Sequence, residues 1–162
     1  MGRFDDLHDI KSNIMSKLYS CEDIVKCLLY NKDTDVDFLK KNIPVGYDAS
    51  SLIYTQIFPY YFVPKIETDA NIYITMKFRY KPCKTKYKIG SICFYVTSHQ
   101  SLMQSDEGLR TDFIIRKIDE IFNCSRGIGL GQLEFDDMSD FMVDSSGQWI
   151  GSYIAYKSTE FQ

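Results

Sequence analysis

Between residues 71 and 80 the apolar side chains fall on every second position: Ile72, Ile74, Met76, Phe78 and Tyr80. The set between them is Tyr73, Thr75, Lys77 and Arg79. A period of two is that of a strand with one face buried and the other turned to water or to a partner. Residues 89–98 repeat the pattern, with Ile92, Phe94 and Val96 on one face. The polar stretch between them, residues 81–88, predicts an antiparallel hairpin. Over residues 109–123 the spacing changes. Ile114, Ile118, Ile121 and Phe122 form one stripe of a helix.

Residues 4–30 read as helical, with Leu7, Ile10, Ile14, Leu18, Cys21, Ile24 or Val25, and Leu28 at steps of three and four. Ser20, Cys21, Glu22 and Asp23 look like a cap with acids in a new first turn. The expectation is one helix with a break, or two short ones. Residues 35–42 predict a short helix that Pro44 closes. Residues 45–64 are aromatic and apolar but carry Gly46, Pro59 and Pro64, which demotes them to an edge or an ordered loop. This segment either packs on its own domain or forms an arm that docks on a neighbouring subunit. The residues that would make such an interface are Ile53, Tyr54, Ile57, Phe58, Tyr60, Tyr61 and Phe62, with Tyr73 beside them. Residues 133–136 predict a short strand, residues 136–147 a polar loop, residues 149–157 a last strand and residues 158–162 a tail.

These elements predict an α+β fold in a single domain over residues 1–162. A helical N-terminal region (1–42) precedes an extended aromatic segment (43–70). A core follows (71–157), a mainly antiparallel sheet with helices packed on one face. At 162 residues such a core buries most of its apolar surface, and 44% hydrophobic with 15% aromatic residues is too rich for a disordered chain. The net charge of −3 disfavours a general nucleic-acid binder. No apolar run reaches the length of a membrane span. Position 6 is Asp, where a myristoylation motif after Gly2 wants Ser or Thr. Cys21, Cys27, Cys83, Cys93 and Cys124 are odd in number and lack a CxxC, which fits a reducing cytosol.

Candidate chemistry adds little. His8 and His99 do not stand at zinc spacing from a cysteine pair, and no motif places Cys93 or Cys124 against either as a nucleophile. Gly127, Gly129 and Gly131 follow a helix and open a strand, the reverse of a dinucleotide fingerprint. Asp136, Asp137, Asp140 and Asp144 lack the glycine and closing glutamate of a calcium loop. They read as a solvated loop, or as a face for a basic partner surface. Lys81, Lys84, Lys86 and Lys88 give the hairpin turn a local charge of +4. That turn is a solvated tip, a contact for passing DNA, or a contact for an acidic patch on another copy. No catalytic, cofactor or metal residue is expected. An enzyme with an unrecognised site and a small protein-binding module are the competing classes.

The layout resembles the tail-terminator and related neck proteins of long-tailed bacteriophages. The resemblance is carried by residues 72–80 and 92–96, the helix from Arg110-Thr111-Asp112 to Ile121-Phe122, and the closing strand 149–156. It covers about ninety residues, from 71 to the end. It implies a non-enzymatic virion protein without cofactors, assembled in the host cytoplasm. Copies of it would form a ring, commonly a hexamer, that caps the tail tube and joins it to the head. Its partners would be itself, the tail tube protein, and a head-completion or connector protein. It would also touch passing DNA non-specifically, and no membrane.

Overall fold

The computed structural model describes residues 6–82, 88–126, 128 and 131–161. Two helices open it, α1 (Leu7–Tyr19) and α2 (Glu22–Leu29). The break falls where the sequence suggests. Cys21 adopts an extended backbone that ends one helix and starts the next. Glu22 and Asp23 then sit in the first turn of α2, where carboxylates suit the helix dipole. Ile10, Ile14, Leu18, Ile24, Val25 and Leu28 all turn inward.

The expected helix over 35–42 is only a single 3-10 turn, Phe38–Lys40. Asp35 is the reason. Its carboxylate accepts from the Lys32 backbone N–H at 3.2 Å and from the Lys41 ammonium, closing a local turn that competes with a helix. Phe38 is fully buried beneath it, edge-on to Phe113 at 5.1 Å. A second 3-10 turn, Ala49–Leu52, is capped by Asp48, whose carboxylate accepts from the Ser50 N–H.

The hairpin is long. Strand β1 (Ile72–Pro82) pairs antiparallel with β2 (Lys88–His99). A minor ribbon, β3 (Gln104–Ser105) with β4 (Gly108–Leu109), leads into α3 (Arg110–Phe122). The chain ends with β5 (Glu134–Met142) and β6 (Trp149–Phe161). The main sheet runs β1-β2-β6-β5, and every neighbouring pair is antiparallel.

Two expectations at this end are corrected. The strand predicted at 133–136 runs on through the first half of the expected polar loop as one nine-residue strand, β5, and only residues 143–148 turn. It pairs along only one side, so its acids stay solvated and need no hydrophobic alternation. The tail predicted at 158–162 continues β6 as far as Phe161, opposite Lys88.

Helices cover one face of the sheet. Ile72, Ile74, Met76, Ile92, Phe94, Val96, Ile154 and Tyr156 form that face with the inner sides of the three helices. Phe94 stacks on Phe122 at 4.8 Å, and the Tyr156 hydroxyl donates to Asp119 of α3 at 2.7 Å. Arg110 ties the layers together from α3. It is wholly buried and donates to the carbonyls of Cys27, Tyr30, Lys32 and Asp35, with its guanidinium 5.0 Å from the Phe38 ring. Among the described residues no helix is long and apolar enough to cross a membrane.

Candidate functional site

The face of the sheet that the helices leave uncovered is not simply wet. Odd-numbered residues of β1, β2 and β6 point to it, as the two-residue period requires. At one end the aromatic segment folds over it. The Phe58 N–H donates to the Ile74 carbonyl at 2.9 Å, and the Ile74 N–H donates to Gln56 at 2.7 Å, so residues 56–58 cover part of the β1 edge. Gln56 is held in turn by the Leu28 carbonyl and Asn71. From this anchor Phe58 and Phe62 pack on Tyr73 at 6.0 and 5.4 Å, and Tyr73 stacks on the buried Trp149 at 5.8 Å. Tyr61 lies on Tyr95 at 4.5 Å, and Tyr95 meets Phe141 and Tyr153. Gly151 makes room for this row: a Cβ there would fall 2.5 Å from the Phe141 ring.

The predicted interface residues therefore divide. Ile57 is fully buried in the chain's own core, and Ile53 packs against that core. Phe58, Phe62 and Tyr73 are half-buried, used mainly to hold the segment down. Tyr54, Tyr60 and Tyr61 remain 63%, 50% and 40% exposed and form the outer surface of the shelf. The segment packs on its own domain and still presents tyrosines outward.

At the other end of this face lies a dent of about 200 Å³. Lys77 and Arg79 of β1 line one side, Asp136 and Asp137 of β5 the other, with Cys93, Tyr95 and Tyr153 between. The Tyr153 hydroxyl donates to Asp137 at 2.7 Å, and that bond raises the phenol's pKa. Burial pushes the Cys93 thiol up, so it keeps its proton at neutral pH and is a poor nucleophile. His99 stands at the far end of β2, edge-on to Trp149 and bonded to Ser101, about 20 Å along the strand by its rise per residue. It is the last residue of a strand rather than part of a loop. Among the described residues no three His, Cys, Asp or Glu side chains converge as a metal site.

Of the basic turn, Lys81 is exposed near the end of β1. Lys84 and Lys86 lie outside the described residues. Lys88 opens β2 opposite Pro82, and its side chain is likewise outside them. Gly127 and Gly129 lie outside too, while Gly131 has a positive φ of 79°.

A protein-family description, YomW, matches residues 22–158, most of the chain and all four strands of the main sheet in whole or large part. The chain belongs to the YomW family. It is a phage-related family, and the membership is no more specific than that. Neither the curated proteins nor the solved structures compared with the chain contain a match.

In this YomW family member, two surface features had no clear sequence signal. One is the acid-lined side of the dent, hidden because β5 read as a loop. The other is an apolar groove of about 480 Å³ between α3 and β5, floored by Ile115, Phe135, Met138 and Ile154. Phe135, Met138 and Met142 are 50%, 40% and 70% exposed on that side of the sheet. Their spacing of three and four, broken by a bulge near Asp136, matches neither a clean strand nor a core helix.

Proposed function

We propose that the chain is a structural virion protein of a phage neck, resembling a tail terminator: a self-assembling ring subunit that caps the tail tube and joins it to the head. The observation that carries this reading is the run of exposed tyrosines, with Tyr61 packed on Tyr95 of the uncovered face and Tyr54 and Tyr60 packed together at the β1 edge beside α1. Exposed aromatic side chains locked by their neighbours suit protein–protein contact, because little side-chain entropy remains to be lost on docking. Membership of a phage-related family supports the same reading. In this role the partners are further copies of the chain, the tail tube protein and a head-completion or connector protein. The basic end of β1 would lie towards the DNA channel. Mass by light scattering, followed by electron micrographs of the purified chain, tests it. A closed oligomeric ring is expected. A monomer at every concentration contradicts self-assembly.

A further inference from the structure

We propose that the two edges of the main sheet are complementary docking surfaces for a second copy of the chain, joined head to tail. The inference rests on the self-assembly reading above and says which surfaces carry it.

The edges have opposite charge. Between Glu134 and Met142 strand β5 carries Glu134, Asp136, Asp137 and Asp140, with no lysine or arginine. Between Ile72 and Pro82 strand β1 carries Lys77, Arg79 and Lys81, with no acid. They close the sheet at its two ends. Among the described residues no strand of this chain lies outside β5, and none lies outside β1 past the bridge at Ile74. Edge strands of this length are usually shielded or paired.

The strand directions also fit. Successive strands alternate, so β5 of one copy set beside β1 of the next is again an antiparallel pair. The cross-strand rows supply a register. Lys77 faces Cys93, Cys93 faces Ala155, and Ala155 faces Asp137. A copy that continues this row places its Lys77 beside Asp137. The next row, through Ser91 and Lys157, places its Arg79 beside Glu134. On the helical side the row through Phe94 and Ile154 leads from Met138 to Met76, which the chain's own core already buries. One register therefore sets opposite charges side by side in two successive rows, which stabilises antiparallel neighbours. Beyond Ile74 the incoming copy's residues 56–58 already occupy its edge. Its aromatic segment, not a strand, then meets the Phe141–Met142 end of β5. Symmetric pairing of β5 with β5, or β1 with β1, sets like charges together. The junction is consequently head to tail, the kind that closes into a ring or runs on as a filament.

Two measurements on the full chain test this. In the first, heavy-isotope and ordinary protein are mixed and joined with a zero-length carbodiimide. Lys77 and Asp137 of one chain line the same dent, so only links of mixed isotope report a junction between copies. Cross-links of mixed isotope between the Lys77–Lys81 and Glu134–Asp137 segments are expected. In the second, Lys77→Glu/Arg79→Glu and Glu134→Lys/Asp137→Lys each set like charges together in both rows. Each variant alone should associate roughly a hundredfold more weakly or worse. An equal mixture restores opposite charge at every junction and should recover the wild-type mass. An oligomer without mixed-isotope links at these segments, or one whose mass survives both reversals, overturns the edge pairing and leaves the ring reading standing. A wild-type chain that stays monomeric overturns both.

Discussion

Arg110 is a side chain whose role the local sequence hides. It is the first residue of α3. Its four carbonyl acceptors lie about eighty residues earlier, at the end of α2 and in the loop after it. They become neighbours only when α2 and α3 pack, so no local pattern announces the burial. Replacing it with Met keeps much of the volume but strands those carbonyls in the core. The expected loss is about 3 kcal/mol or more of unfolding free energy, measured by urea denaturation. Arg110→Lys should recover little of it, because an ammonium lacks the planar fork that reaches both sides. Asp35, beside this clamp, makes a pH prediction. Burial works against its charge. The bond from Lys41, the Lys32 N–H and the Lys41 and Arg110 charges outweigh that and hold its pKa below the usual carboxylate value. A carboxyl depressed in the folded state contributes stability that is complete above its unfolded pKa, about 3.9, and is lost as pH falls through the folded value. Stability should therefore decline as the solution is acidified below about pH 4. Asp35→Asn should flatten that part of the curve, and an unchanged curve would remove Asp35 as a contributor.

At the scale of elements, legibility followed periodicity. The hairpin and α3 were readable because each has one buried face and a clear period, and the structure places Ile72, Ile74 and Met76, then Ile114 and Ile118, in one core. Strand β5 was not readable, because an edge strand contacted along one side can carry acids on almost every position. The helix expected at 35–42 failed for a different reason: the Asp35 turn outcompetes it. The aromatic segment was legible as something that needed a surface, but not as to whose. Leu52 and Ile57 answer in favour of its own core, so deleting residues 50–58 should unfold the chain. The sharper experiment spares the core. Tyr54→Ser with Tyr60→Ser removes two exposed rings of the shelf and should leave thermal stability nearly unchanged while weakening self-association roughly tenfold. Equal loss of stability and association would show instead that the shelf is a structural lid.

Taken as a whole, the molecule is a one-sided sandwich. Helices cover one face of the sheet except along β5. The other face carries an aromatic shelf at one end and a charge-lined dent at the other, between edges of opposite sign. That polarity is a property of the assembled sheet. It depends on β1 and β5 lying at opposite ends of the strand order, which no stretch of sequence displays. A phage-related family, an exposed aromatic surface and edges of opposite charge are the grounds for proposing a subunit that meets copies of itself in a particle. The most direct measurement is immunogold electron microscopy of phage particles whose genome encodes this chain, with antibody raised against the purified protein. Gold is expected at the junction of head and tail, on nearly every intact particle. Intact particles without label there, while the protein is abundant in the free cell extract, would contradict it.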